Sequence, residues 1–218
     1  MKNIVIIGAG GFAREIQWLI KDINEQKQEW NLLGFIDENI NNKGLELNND
    51  KVLGTFKDIS INNYEDLYYV CAVGDPKTKK ELVKKAEKLG LKAGILIHPS
   101  VIMSNFVEIG EGSIICAGSI LTVNIKIGNH VIINIDSTIG HDAIINDFST
   151  ILPSVNISGN TVIEECVSMG TGSSIIQGLS IGKYSTIGAG AVVIKNIPLG
   201  STAVGMPAKV IKVDDSIN

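Results

Sequence analysis

The sequence predicts an α/β unit over residues 1–94, followed by a parallel β-helix with a C-terminal extension over residues 95–218. Up to about residue 95, continuous apolar runs alternate with charged segments that have helical spacing, an order typical of a small, largely parallel α/β unit. Beyond that point apolar residues recur at every sixth position, which indicates a repeat of short, flat sides stacked into coils.

The first unit is predicted to alternate strands and helices. KNIVIIG is a continuous apolar run that ends in glycine, as expected of a strand buried on both faces. The apolar residues from Phe12 to Ile23 then fall on one face of a helix. Two further strands, LLGFID and YYVCAVG, precede a helix for which Asp75 is a suitable N-cap, Pro76 fits the first position and Gly90 marks the end. KAGILI completes the unit.

A glycine-rich turn links the first strand to the first helix. Gly8, Gly10 and Ala13 have the G-x-G-x-x-G/A spacing, and Asp37 ends the second strand. This context predicts a phosphate-bearing ligand on the N-terminus of the helix. About 95 residues are too few for the six-stranded sheet that usually holds a dinucleotide, so half of a Rossmann fold and a mononucleotide are favoured. A dinucleotide, as in a dehydrogenase, and a turn needed only for packing remain alternatives.

The six-residue repeat, or hexad, is the strongest pattern in the sequence. None of the seventeen residues at six-residue intervals from Ile97 to Val193 is polar, and the residue two places earlier is mostly small or β-branched. If three hexads form one coil, residues 18 apart are neighbours in successive coils. The seventeen residues are Ile97, Met103, Ile109, Ile115, Leu121, Ile127, Ile133, Ile139, Ile145, Ile151, Ile157, Ile163, Met169, Ile175, Ile181, Ile187 and Val193.

The pair His141 and Asp142 interrupts this aliphatic repeat. If the first place of each hexad faces inward, alternation along the strand puts His141, in the third place, at the outer surface. Val123 and Gly159 are its neighbours in the adjacent coils, and the glycine leaves open space and an unblocked N–H. A histidine beside a carboxylate suits general-base catalysis, because its ordinary pKa of about 6.5 is near working pH and the anion stabilises the imidazolium. A solvated polar corner is the alternative.

Composition and charge exclude several classes of protein. The 218 residues are 44% hydrophobic and 19% charged with a net charge of −4, and lysines are scattered through helix-like KTKKELVKKAEK, so we expect a solvated helix face and no nucleic-acid binding. No run of 18 or more apolar residues occurs and the start is too glycine-rich for a signal peptide, so we expect a cytoplasmic protein with no membrane partner. Cys71, Cys116 and Cys166 lack metal-ligand spacing and are expected to be buried thiols.

Several motifs carry a resemblance to a known family. GHDAIINDFSTILPSVNISGN and IGAGAVVIKNIPLGSTAVGMPAK, together with IIGAGGFAREI, GFIDE and AVGDP, resemble the bacterial hexapeptide acyltransferases that acetylate nucleotide-linked amino sugars, and the related sialic acid O-acetyltransferases. The likeness covers nearly the whole chain. It implies a left-handed coil and a homotrimer with acetyl-CoA in a groove between neighbouring prisms. It also implies that the N-terminal domain of an adjacent subunit holds the sugar nucleotide.

The resemblance implies roles for individual residues. His141 matches the general base, Asp142 the acidic residue that raises its basicity, and Gly159 the glycine whose N–H faces the thioester oxygen. The residues that match acetyl-CoA contacts are Asn134, a polar residue near the base, Thr150, where some members carry a second histidine, Gly159, and Thr171 and Ala189, whose main chain meets the pantetheine arm. The residues that match the loops around the nucleotide and its sugar are Gly10, Gly11, Phe12, Asp37, Glu38 and Gly74.

The resemblance therefore predicts an acetyl-CoA-dependent enzyme that N-acetylates a nucleotide-linked amino-deoxysugar by direct transfer. O-acetylation of sialic acid or another sugar is the alternative. An NAD-dependent oxidoreductase that uses the N-terminal glycines and a non-catalytic trimeric scaffold are rival classes. A metal hydratase needs three convergent histidines, but His98, His130 and His141 are separated by 32 and 11 residues and occupy different hexad places, so we expect no metal.

Overall fold

The computed structural model describes residues 1–59, 66–214 and 216. Two compact units result, Met1–Pro99 and Ser100–Asn218. The division follows Pro99, a few residues beyond the predicted end of the first domain at residue 94. The reason is that the short strand Leu96–Ile97 contacts the first helix of the chain and so belongs to the first unit.

The first unit is built around a mostly parallel sheet whose central strand begins the chain. The order of its described strands is β3-β4-β2-β1-β5-β6, and β1 pairs in parallel with both β2 and β5. The elements are β1 (Lys2–Ile7), α1 (Gly11–Gln26), β2 (Trp30–Ile36), β3 (Glu46–Leu47), β4 (Asp50–Gly54), β5 (Leu67–Cys71), α2 (Pro76–Lys88), β6 (Lys92–Ala93) and β7 (Leu96–Ile97). No helix of the described chain is long and apolar enough to cross a membrane.

The sequence predicts the main elements of this unit and their ends. Asp75 caps α2 by accepting a hydrogen bond of 2.8 Å from the N–H of Thr78, and Pro76 occupies the first turn as predicted. Gly90 follows with φ +78°, a value that glycine adopts without strain. These end signals of α2 are confirmed. Each depends on one residue whose side chain or backbone preference fits the end of a helix.

This unit contains one element that the sequence did not predict and contradicts one expectation. The hairpin of β3 and β4 was not predicted, since its only marker is the turn formed by Asn48 and Asn49, both with positive φ. The expectation that a six-stranded sheet does not fit is wrong, because six described strands form the sheet. They fit because β3 and β6 have only two residues each.

The second unit is a parallel β-helix with three sides. Side one contains β10, β13, β16, β19, β22, β24 and β25, side two contains β8, β11, β14, β17, β20 and β23, and side three contains β9, β12, β15, β18 and β21. The strands are β8 (Ile102–Met103), β9 (Val107–Ile109), β10 (Ile114–Ile115), β11 (Ile120–Leu121), β12 (Ile125–Ile127), β13 (Ile132–Ile133), β14 (Thr138–Ile139), β15 (Ile144–Ile145), β16 (Thr150–Ile151), β17 (Asn156–Ile157), β18 (Val162–Ile163), β19 (Ser168–Met169), β20 (Ser174–Ile175), β21 (Ser180–Ile181), β22 (Thr186–Ile187), β23 (Val192–Val193), β24 (Ser201–Val204) and β25 (Lys209–Val213). The turns between the sides are called corners. Each corner has the number of the side that it follows, so corner two follows side two.

Backbone pairing confirms that residues 18 apart are neighbours in successive coils. On side two, Leu121 pairs with Ile139, and Ile139 pairs with Ile157. The hexad residues from Ile115 onward are at most 4% exposed, so they form a continuous core. Met103 is 42% exposed because its strand, β8, is the edge strand of side two.

The corners share a backbone feature that the sequence did not reveal. Every sixth residue from Gly112 to Gly190 has a positive φ, between 52° and 77°. Glycine, asparagine and aspartate tolerate this left-handed conformation, whereas other residues pay roughly 1–2 kcal/mol for it. The non-glycine members of the series are Asn124, His130, Asp136, Asp142, Phe148, Ser154, Asn160, Cys166 and Tyr184.

All three cysteines are buried, as the sequence predicts. Burial raises the pKa of the Cys71 thiol to about 12. Cys71 therefore stays protonated at neutral pH, which is a property of a packing residue and not of a nucleophile.

Truncation of a repeat residue tests whether the hexad core carries the stability of the coil. Ile175→Ala should lower the free energy of unfolding by about 2–5 kcal/mol, because the side chain is 1% exposed and leaves a cavity. Denaturant titration followed by circular dichroism measures the change. Ser174→Ala, on the same strand but facing outward, is the matched control and should change it by less than about 0.5 kcal/mol. Equal losses for the two variants would contradict an inward-facing hexad core.

Candidate active site

The His141 and Asp142 side chains form a hydrogen-bonded pair on the surface of corner two. Nδ1 of His141 lies 2.8 Å from Oδ2 of Asp142, and the two side chains are 47% and 44% exposed. An ionised carboxylate only accepts hydrogen bonds, so Nδ1 carries the proton and Nε2 is left as an acceptor. The pair therefore presents a basic nitrogen to a ligand at this corner.

Asp142 occupies one of the left-handed corner positions. Its φ is +59°, and its N–H donates to the carbonyl of Val123 at 3.0 Å, which fixes the turn against the preceding coil. Oδ1 accepts a hydrogen bond from Nδ2 of Asn124 at 3.3 Å. The hydrogen bond to His141 is the largest cause, and the one from Asn124 the next, of a pKa below the usual range of aspartate. Asp142 is thus held as the anion that a histidine base requires.

Gly159 lies against the His141 ring from the following coil. A Cβ on Gly159 would lie 2.5 Å from Nε2 of His141, so any side chain there would push the ring away. The ring covers Gly159, which is buried. Within the described chain the N–H of Gly159 donates no hydrogen bond. A Cβ on Gly140 would lie 2.5 Å from that nitrogen, so two glycines keep its surroundings clear.

Asn134 and Thr150 belong to side one and its corner, whereas His141 and Asp142 lie at corner two. Asn134 is 7% exposed at corner one, and its Oδ1 accepts a hydrogen bond from the N–H of Ile135 at 2.7 Å. Thr150 is 1% exposed in β16 on side one. Among the described residues no hydrogen bond joins either side chain to His141.

Thr171 and Ala189 also lie at corner one, stacked in successive coils. Both are exposed. The carbonyl of Thr171 accepts a hydrogen bond of 2.8 Å from the N–H of Gly190, and a Cβ on Gly170 would lie 2.5 Å from the nitrogen of Ala189. Thr171 and Ala189 thus lie on a different corner from His141, and their contact with acetyl-CoA stays a prediction.

The glycines that follow β1 and β5 leave open space in the first unit. No atom of the described chain lies within 4 Å of a Cβ placed on Gly10 or Gly74, and only Arg14, at 3.8 Å, approaches one on Gly11. None of the three has a positive φ. No side chain caps the N-terminus of α1, which begins at Gly11, with Phe12 half-buried behind it. Since neither packing nor backbone angle demands these glycines, the space suits an anionic ligand at the helix end.

The two acidic residues after β2 already have partners. Oδ1 of Asp37 accepts from the N–H of Asn39 at 2.9 Å and from Nδ2 of Asn42 at 3.1 Å. Glu38 forms an ion pair with Lys85 of α2, and this hydrogen bond is the main cause of a lowered pKa for its carboxyl. Asp37 orders its own turn, whereas Glu38 links the turn to α2.

Glu38 also borders a cleft that the sequence did not predict. The cleft has a volume of about 600 Å³. Its lining combines apolar surface with three lysines, two of which belong to the segment that the sequence predicted to be a solvated helix face. The lining residues are Glu38, Ile40, Thr55, Phe56, Lys57, Lys85, Lys88 and Leu89. Their separation in the sequence hid the cleft, since they come from three distant segments.

No metal centre is found in the described residues, where no group of three or more histidine, cysteine, aspartate or glutamate side chains could hold an ion. His98 and His141 each pair with an aspartate instead, at 2.9 and 2.8 Å.

Comparison with known proteins matches both units. Residues 3–86 match the PglD N-terminal domain family. The chain is 36% identical over 122 residues to UDP-N-acetylbacillosamine N-acetyltransferase from Bacillus subtilis, covering 54% of this chain and 52% of that protein. The chain thus spans about half the length of this curated relative.

Solved structures match nearly the whole chain. WeeI from Acinetobacter baumannii is 32% identical with a TM-score of 0.88, covering 97% of this chain and 100% of that one. The acetyltransferase domain of PglB from Neisseria gonorrhoeae, in complex with acetyl coenzyme A, is 30% identical with a TM-score of 0.84, covering 96% and 99%. A variant of perosamine N-acetyltransferase from Caulobacter crescentus, in complex with CoA and GDP-perosamine, is 26% identical with a TM-score of 0.88, covering 98% of each. The predicted fold class, a half-Rossmann domain followed by a left-handed β-helix, is confirmed.

Titration of Asp142 tests the electrostatics of the pair. Its pKa should lie below that of an ordinary aspartate, and His141→Ala should raise it because the largest cause of the shift is removed. The stabilising contribution of the pair should be complete above the unfolded-state pKa and lost as the pH falls through the folded-state pKa. Carboxyl-detected NMR measures the titration, with Gln177→Ala, one coil beyond Gly159, as the control. An Asp142 that titrates like an exposed aspartate would contradict the pairing.

Proposed function

Because the chain belongs to the nucleotide-amino-sugar N-acetyltransferase family, we propose that it transfers an acetyl group from acetyl-CoA to the amine of a nucleotide-linked amino-deoxysugar. The observation that carries the proposal is the His141 and Asp142 pair stacked against Gly159, whose N–H has no hydrogen-bond acceptor in the described chain. A base and an oxyanion donor side by side are what attack on a thioester requires.

The mechanism follows from the orientation of the imidazole. Nδ1–H is held by Asp142, so Nε2 of His141 accepts a proton as the neutral amine attacks the thioester carbonyl. The new C–N bond forms, and the N–H of Gly159 stabilises the negative charge that collects on the carbonyl oxygen. The C–S bond then breaks, and the imidazolium returns the proton to the departing sulfur. The acetyl group passes directly between the substrates, without a covalent intermediate on the protein.

The position of acetyl-CoA follows from the two corners. The PglB domain of known structure binds acetyl coenzyme A, and we assign its pantetheine arm in this protein to the main chain of Thr171 and Ala189. These residues lie at corner one and His141 lies at corner two. We propose that one acetyl-CoA meets both corners by lying between the prisms of two copies, as the sequence resemblance implies. A homotrimer meets this condition.

Two of the residues matched by sequence have indirect roles in this proposal. Asn134 and Thr150 are buried, so their side chains support the backbone of side one and its corner. We assign neither side chain a direct contact with acetyl-CoA, because the two residues are only 7% and 1% exposed.

The first unit is proposed to hold the nucleotide sugar. The uncapped N-terminus of α1 and the open space at Gly10, Gly11 and Gly74 suit a diphosphate. The cleft beside Glu38, with its lysines and the buried ring of Phe56, suits the rest of the nucleotide. The relatives named above act on or bind UDP- and GDP-linked sugars, so we propose a nucleoside diphosphate amino sugar as acceptor, used in the cytoplasm where acetyl-CoA is available.

Removal of the base tests the proposed reaction. CoA release should be detected with at least one amino sugar in a panel of UDP-, dTDP- and GDP-linked substrates, and His141→Ala should lower kcat by about a hundredfold or more. His98→Gln alters the other histidine that pairs with an aspartate and should change kcat by less than about threefold. Absence of CoA release with the whole panel, release only with sialic acid, or an unchanged rate for His141→Ala would each overturn the proposal.

A methyl group on Gly159 tests the stacking of the ring on this residue. In Gly159→Ala the new Cβ would lie 2.5 Å from Nε2 of His141, so the exposed ring must turn away and kcat should fall by about tenfold or more. Thermal unfolding should change little, because the ring has solvent to move into. Gln177→Ala is the control, because Gln177 occupies the same place as Gly159 in the next coil. Full activity in Gly159→Ala would contradict the assigned positions of base and donor.

A further inference from the structure

Asp142 is held by a second residue besides His141. Its Oδ2 lies 2.8 Å from Nδ1 of His141, and its Oδ1 accepts a hydrogen bond from Nδ2 of Asn124 at 3.3 Å. We propose that Asn124 is a positioning residue, which fixes the Asp142 carboxylate so that Asp142 can orient the His141 ring. The proposal rests on the proposed function, because it is there that His141 acts as the base.

The backbone places the two side chains side by side. Asn124 and Asp142 are 18 residues apart at corner two and share the left-handed conformation, with φ of +56° and +59°. The N–H of Asp142 donates to the carbonyl of Val123, the residue before Asn124, at 3.0 Å. Stacked in adjacent coils with the same backbone conformation, the two side chains start side by side, and the hydrogen bond of 3.3 Å shows that their terminal groups meet.

The chemistry of the two groups sets the direction of the hydrogen bond. A carboxylate only accepts, so the amide must present its NH₂ group to Oδ1. The hydrogen bond from Asn124 restricts the rotamers that the exposed side chain of Asp142 would otherwise sample. With Oδ1 fixed, Oδ2 is directed at His141. The same hydrogen bond contributes to the lowered pKa of Asp142.

Corner one contains the same arrangement without a histidine. Oγ of Ser154 donates to Oδ2 of Asp136 at 3.3 Å, the two residues are 18 apart, and both have left-handed φ. The residue before Asp136 is Ile135, so this pair has no base to orient. A hydrogen bond between corner positions is thus available to the fold in general. Of these two pairs, the one at corner two has an acceptor that also binds a histidine.

A double-mutant cycle separates positioning from general support of the coil. Glycine keeps the positive φ, so Asn124→Gly, Asp142→Gly and the double variant remove side chains without backbone strain. Asn124→Gly should lower kcat by about tenfold with both KM values within about twofold of wild type, because one hydrogen bond to a charged group is lost. In the Asp142→Gly background, adding Asn124→Gly should not lower kcat any further. Ser154→Gly is the control and should leave kcat unchanged.

Two outcomes of this cycle would overturn the proposal. One is an Asn124→Gly variant with wild-type kcat. The other is the same loss in the presence and absence of the Asp142 side chain, which would mean that Asn124 acts on the coil and not through Asp142.

Histidine NMR tests the positioning role without any assay of acyl transfer. The chain has three histidines, so ring-nitrogen signals of ¹⁵N-histidine-labelled protein can be assigned from single variants. The fraction of His141 with the proton on Nδ1 should fall in Asn124→Gly and stay at the wild-type value in Ser154→Gly. An unchanged fraction in Asn124→Gly would overturn the role of Asn124. If the wild-type protein transfers no acyl group, the proposed function fails while this measurement still decides the role of Asn124.

Discussion

Parallel backbone pairing between residues 18 apart is the constraint on which the C-terminal unit depends. Because Leu121 pairs with Ile139 and Ile139 pairs with Ile157, the residues two places after each strand end are also stacked. His141 and Gly159 are two such residues. The coil thus brings an imidazole against a glycine without any long-range loop, and it does so on a core that is almost fully buried.

The left-handed corner position adds the second element of the site. A turn that requires positive φ favours asparagine and aspartate, and these residues also carry hydrogen-bonding groups. At corner two the fold places Asp142 next to His141 and Asn124 next to Asp142. Aspartate, which tolerates the left-handed conformation, also supplies the carboxylate that the proposed histidine base needs beside it. Asp142 therefore has two roles: it forms the left-handed turn, and in the proposed mechanism its carboxylate orients His141.

The sequence predicts the features that follow from the six-residue repeat. It does not predict features formed by residues that are distant in the sequence. The hexads located the core and placed Gly159 against His141. The corner conformation was hidden because Phe148, Cys166 and Tyr184 occupy it as well as glycine and aspartate, so no residue type marks it. The cleft beside Glu38 was hidden for another reason: its lysines come from separate segments and each is typical of a solvated surface. Burial of Thr150 likewise depends on tertiary packing that the repeat does not encode.

In the arrangement that we propose, one acetyl-CoA meets the base at corner two of one copy and the main chain at corner one of another. A crystal structure of the protein with CoA bound is the decisive test. We expect the CoA sulfur in contact with His141 and the Gly159 N–H, and the pantetheine arm along Thr171 and Ala189 of a neighbouring copy. A CoA whose sulfur lies away from corner two, or whose arm contacts a single prism only, would contradict it.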